Sequence, residues 1–146
     1  MTAVPERLRI STDPADIDVG FVHEFLSTRS GWAQGIPRDT VERSIAHSLC
    51  FAGRIGAEQV AFARVISDYA TFANLVDVFV LPQYRACGYG KALMQAVLAH
   101  PQLQGLRRFT LATADAHGLY ARFGFAAPRY PHTLMERYAP DIYRAG

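Results

Sequence analysis

With 146 residues, half of them apolar and 19% charged, the chain has the makeup of one globular domain spanning 1–146 and not that of a disordered segment. The net charge is only +2 and the basic residues are scattered singly apart from Arg107-Arg108, which argues against a nucleic-acid surface. No apolar stretch nears the roughly 20 residues that span a bilayer and MTAVPERLRI has no leader pattern, so a cytoplasmic location without a membrane partner is expected.

Leu8 to Ser11 reads as a first strand. After the Asp13-Pro14 turn, Ile17, Phe21, Val22, Phe25 and Leu26 recur at helical spacing. Gly31, Gly35 and Pro37 break the chain, and Asp39 with Glu42 predicts a capping-box start to a second helix carrying Val41, Ile45 and Leu49. Cys50–Arg54 and Gln59–Ser67 form an antiparallel hairpin about the turn at Gly56. Leu75 to Leu81 is valine-rich and reads as a strand buried on both faces, with Asp77 standing out inside it. Pro82 ends that strand, and Gly88 and Gly90 lead into a helix over Lys91–His100. Phe109–Thr113 is a further strand, Ala116–Phe123 a short helix and Thr133–Tyr138 a final strand. This order predicts an α/β fold with a mixed sheet and a central parallel pair that brackets the Lys91–His100 helix.

A buried strand running through a glycine turn into a helix gathers backbone N–H groups and the positive end of the helix dipole at one point, which suits a phosphate. Gly88 and Gly90 allow close backbone approach, while Arg85 and Lys91, the only lysine in the chain, add charge. The GxGxxG and GxxxxGK[ST] loops do not fit, because Leu93 stands where the first needs glycine and Ala92 where the second needs Ser or Thr. A plain strand-to-helix turn with solvated charges is the alternative for the glycines alone.

The stretch Val78-Phe-Val-Leu-Pro-Gln-Tyr-Arg85-Ala-Cys-Gly88-Tyr-Gly90-Lys resembles the cofactor motif (Q/R)xxGx(G/A) of the GNAT superfamily, and Leu119-Tyr120-Ala-Arg-Phe-Gly124-Phe125 is similar to its YxxxGF signature. The resemblance covers roughly Cys50 to Pro128. It implies a GNAT-like fold, a mostly antiparallel mixed sheet with a splayed parallel pair. It also implies acetyl-coenzyme A as acyl donor, with its pyrophosphate on the amides of Ala86, Cys87, Gly88, Tyr89, Gly90 and Lys91, beside the cofactor-binding side chain of Arg85. The pantetheine arm would pair with the strand edge at Val78, Phe79 and Val80 like an added strand. Tyr120 matches the residue that gives a proton to the departing thiolate in many members; the alternative is that it only packs the helix. Cys87 sits in the phosphate loop, but such a loop needs only its backbone.

The general base is harder to assign. Where several relatives carry a glutamate, this chain has Asn74 or Val76, and strand alternation turns Asp77 to the opposite face, as a hydrogen-bonded structural carboxylate. A water chain is the alternative base. Thr113 stands where many relatives have an asparagine, with Asp115 and His117 beyond it. Trp32 lies where similar enzymes build the acceptor wall, and core packing or lid anchoring is an equal reading of it. His23 reads as structural, because no HExxH or CxxC pattern accompanies it and no metal is expected. The reading is thus an acetyltransferase acting on the primary amine of a small molecule, with a homodimer left open. A non-catalytic acyl-coenzyme-A module and a protein N-acetyltransferase are the alternatives.

Overall fold

The computed structural model describes residues 7–144. Its sheet runs β1 (Arg9–Ser11), β2 (Leu49–Ile55), β3 (Glu58–Ser67), β4 (Phe72–Val80) and β5 (Arg108–Leu111) in spatial as well as chain order. The first three pairings are antiparallel and β4–β5 is parallel. This is the mixed sheet that the sequence predicts, with its parallel pair at the edge instead of at the centre. The parallel pair is short: it runs from Phe72↔Arg108 to Leu75↔Leu111, and β4 continues to Val80 without its neighbour. Asn74 and Thr110 hold the paired end together, Thr110 Oγ1 donating to Asn74 Oδ1 at 2.7 Å.

Helices cover both faces because both carry apolar residues. On one face α1 (Val19–Arg29) docks through Phe25, whose ring stacks on Phe79 of β4 at 3.8 Å between centroids, with Phe21 and Phe62 alongside. Such aromatic packing adds about 0.5–1.5 kcal/mol per pair to the area buried. α2 (Arg38–Ala46) packs beside α1. On the other face Leu93, Met94 and Val97 of α3 (Tyr89–Ala99) are buried. Ala61 and Ala63 of β3, both fully buried, leave room there for the helix to approach. His100 just beyond α3 meets Phe51, the neighbour of Ala63 across the β2–β3 ladder.

Three local expectations give way. The cap of α2 is Pro37 without a side-chain hydrogen bond, not Asp39, because the proline's preset φ starts the helix two residues earlier. Leu49 opens β2 instead of extending α2. Thr133–Tyr138 is not a strand: Pro131–Thr133 is a single 3-10 turn, and the residues after it, of which Leu134 is extended, pair with no strand in the described chain.

Candidate active site

Where β4 leaves β5, its register slips. Arg64 faces Val76 and Phe62 faces Phe79, so β4 holds one extra residue opposite β3, and Asp77 sits there with φ +55°. This is a β-bulge, a device that bends a strand and re-aims its side chains. It overturns the expected alternation. Val76 and Phe79 now point to the α1 side together, and the Asp77 carboxylate reaches Arg64, the cross-strand partner of Val76, so it lies on the face from which simple alternation excluded it. The signal was legible: aspartate is among the few residues that tolerate positive φ, and it interrupts a run of valines.

Both Asp77 oxygens are engaged. Oδ2 accepts from Arg64 Nε and Oδ1 from the Trp32 indole N–H, each at 2.9 Å. Arg64 also donates to Ser48 Oγ at 3.0 Å, completing a chain from the loop before α2, through the bulge, to the start of β2. The loop is pinned elsewhere too. Ser30 Oγ donates to the Leu26 carbonyl and accepts from Ala33 N–H, and His23 Nε2 lies 3.1 Å from the Ile36 carbonyl oxygen. Trp32 itself remains 55% exposed, so the loop presents its ring to solvent while holding its N–H. Cys50, beside this ion pair, has its thiol pushed up to about 12, chiefly by burial, and is chemically quiet.

From the bulge β4 leads to the loop at 85–90. Arg85 folds back to donate from Nε to the Val80 carbonyl at 2.9 Å, tying the loop to the strand end. Ala86 (φ +64°) and Gly88 (φ +84°) both take the left-handed conformation, the kind of turn in which successive N–H groups converge, and Gly88 is the N-cap of α3. Gly90 lies within the first turn of α3 and does not take positive φ. A Cβ built at Gly88 or Gly90 would meet nothing within 4 Å, so no protein neighbour explains these glycines. Cys87 and Lys91 are exposed and Tyr89 is buried.

The second signature is built differently. α4 (His117–Ala121) ends at Gly124, whose φ is +90°, and Phe125 N–H returns to the Tyr120 carbonyl at 3.2 Å. That closure drops Phe125 edge-on against Phe109 and Tyr120. Tyr120 is 8% exposed, and burial, with the Asp115 charge adding, pushes its phenol above the ordinary value of 10. Thr113 Oγ1 accepts from Ala116 N–H, so its hydroxyl steadies the turn into α4. A groove of about 1170 Å³ runs along β5; Tyr120 and Thr113 line it, whereas no residue of β4 or of the 85–91 loop does.

A mixed sheet whose parallel strands part at a bulge, followed by a glycine-capped helix and a helix closed by Tyr-x-x-x-Gly-Phe, defines the acyl-transferase class with this fold. The sequence pattern of the GNAT acetyltransferase family matches residues 20–125, and the chain belongs to that family. A Gibberella zeae protein assigned by inference as an acetyltransferase is 31% identical over 135 residues, covering 77% of this chain and 75% of its own. A crystal structure of a GNAT protein from Xanthomonas campestris pv. campestris, itself an acetyltransferase by inference, is 60% identical with a TM-score of 0.93, covering 95% of this chain and 98% of its own. One from Deinococcus radiodurans has a TM-score of 0.73 at 18% identity over 97% and 94%, a likeness of fold alone.

Proposed function

We propose that the protein transfers an acetyl group from acetyl-coenzyme A to the primary amine of a small molecule by direct attack in a ternary complex. The observation that carries this reading is the opening between β4 and β5 past Leu75 and Leu111, followed by an open-faced glycine cap on α3. In the proposal the amides of 86–91 hold the pyrophosphate, and Arg85 and Lys91 add charge to that site. The strand edge at Val78, Phe79 and Val80 takes the pantetheine amides. The donor supplies an activated thioester.

Tyr120 then acts at one moment, giving its hydroxyl proton to the sulfur as the carbon–sulfur bond breaks. The raised pKa keeps the phenol protonated but makes it a weaker acid, so the transfer has to be local and coupled to bond breaking. Asp77 is not assigned the base, since both its oxygens are already hydrogen-bonded. Deprotonation of the amine is left to water. The test is a screen of small amines, peptides and protein N-termini for coenzyme A release. Turnover of a small amine supports the proposal, turnover of peptides alone replaces the acceptor class, and tight acetyl-coenzyme-A binding without any turnover turns the protein into a binding module.

A further inference from the structure

Arg85 holds a backbone group that the proposed donor needs. β5 leaves the edge of β4 open past Leu75, and the ladder on the opposite side fixes which groups face that edge. Leu81 N–H donates to the Val60 carbonyl at 2.9 Å and Ala61 stands opposite Val80, so Val80 belongs to the pair that exchanges no hydrogen bonds with β3. Its N–H and C=O therefore point to the open edge. The carbonyl is taken: Arg85 Nε donates to it at 2.9 Å.

This contact joins two places proposed to hold one molecule. Val80 lies on the edge that pairs with the pantetheine amides, and Arg85 stands at the loop that holds the pyrophosphate. Nothing else claims the guanidinium, since the side chain is exposed and enters no ion pair among the described residues. An added strand needs the edge carbonyl for its own N–H, and a guanidinium lying on that carbonyl contests the place. Charge decides the contest. A diphosphate offers the guanidinium an anionic partner and two parallel hydrogen bonds in place of one neutral carbonyl, whereas a pantetheine amide offers it nothing.

We infer that Arg85 is a specificity-determining residue for the acyl donor: its side chain covers the Val80 carbonyl until a diphosphate draws it away. The strand edge then opens fully only to a thioester that carries a diphosphate, an inference that rests on the donor site proposed for this protein. The movement required is small. Arg85 and Val80 are five residues apart, and rotation about the side chain's own bonds frees the carbonyl while the loop stays in place. The arm alone, as acetyl-pantetheine, meets an edge whose acceptor is occupied, and its apparent affinity falls by the fraction of molecules in which the edge is covered. Inorganic pyrophosphate supplies the missing half, and by linkage each of these two ligands tightens the other.

Calorimetric titration of the full chain tests this and needs no acceptor. Inorganic pyrophosphate is expected to tighten acetyl-pantetheine binding to wild type by about tenfold, the worth of one hydrogen bond. Arg85→Ala is expected to bind acetyl-pantetheine tighter than wild type by a similar factor and to lose the response to pyrophosphate. Acetyl-coenzyme A is expected to move the other way and bind Arg85→Ala more weakly, because its diphosphate loses a partner. If wild type binds acetyl-coenzyme A, yet pyrophosphate leaves acetyl-pantetheine binding unchanged or weakens it, the inference is overturned while the donor site stands. If Arg85→Ala weakens both thioesters alike, Arg85 is only a strut of the loop or a plain phosphate partner, and the inference is overturned as well. A wild type that does not bind acetyl-coenzyme A removes the donor site and the inference with it. Should Arg85→Ala not fold, the coupling between pyrophosphate and acetyl-pantetheine in wild type decides alone.

Discussion

The two glycine turns that follow β4 and β5 make an instructive pair. Each has a left-handed glycine, Gly88 and Gly124, each adjoins a short helix end, and each carries an aromatic next in sequence. At Gly124 the turn is closed on itself: Phe125 returns to the Tyr120 carbonyl and its ring packs on Phe109. At Gly88 the turn opens outward, with α3 ahead of it and no protein atom near the missing side chains of Gly88 and Gly90. The same residue type therefore serves packing in one place and access in the other. A Cβ at Gly124 would likewise meet nothing within 4 Å, so what separates the two turns is the return of Phe125 to the Tyr120 carbonyl and the packing of its ring on Phe109.

The largest effect is expected where the closed turn carries the proposed proton donor. Tyr120→Phe keeps the ring against Phe125 and loses only the hydroxyl, so kcat should fall about 10²–10⁴-fold with acetyl-coenzyme-A affinity little changed. Stopped-flow turnover beside equilibrium binding checks this, and an unaltered kcat would reduce Tyr120 to a packing residue. Next comes Gly90→Val, which meets open space and replaces a poor helix former. Cofactor affinity should drop about 100-fold, or ~2.8 kcal/mol, with the melting temperature held or raised; calorimetric titration beside thermal melts reads both. Equal affinity in wild type and variant would sink the phosphate site.

Asp77→Asn should lower stability by about 1–3 kcal/mol, because the charge that answers Arg64 is lost while asparagine still tolerates the positive φ. Urea unfolding measures it. Turnover per folded molecule should change less, and the reverse pattern would make Asp77 the base. Gly124→Ala places a Cβ in a left-handed residue and should cost about 1 kcal/mol of stability without moving cofactor affinity, the mirror image of Gly90→Val. The smallest effect is alkaline. Tyr120 has a raised pKa in the folded state, so its contribution to stability is complete below the unfolded value of 10 and is lost as pH climbs through the folded one. Thermal melts between about pH 9 and 11 should show wild type losing ground to Tyr120→Phe. Tyr84, raised by its hydrogen bond to Glu58, titrates alike in both and cancels.

Periodicity and glycine placement sufficed for the helices and the central strands, because those signals are local. The alternation rule failed at Asp77 because a bulge is agreed between two strands: Ala63 must forgo a partner, and nothing in residues 72–80 states that by itself. What the local text did contain was an aspartate among valines, read as a buried carboxylate when it was also a marker of positive φ. The Trp32 contact, 45 positions away in sequence, was out of reach of any spacing argument. Thr133–Tyr138 shows the opposite failure. Its place after two prolines suggested a strand, but a strand exists only with a neighbour, and within the described chain it has none.

One consequence of the bulge is optical. Trp32 is the chain's only tryptophan, and its indole N–H is held by a carboxylate at the point where β4 changes register. Emission excited selectively in the indole band therefore comes from a single fluorophore, anchored at its nitrogen and bare at its ring. Motion of the loop before α2, or rearrangement of the Asp77–Arg64 pair, changes the field along that indole and so the colour of its light. The fold carries its own gauge at the mouth of the splayed strands, readable in the unlabelled protein.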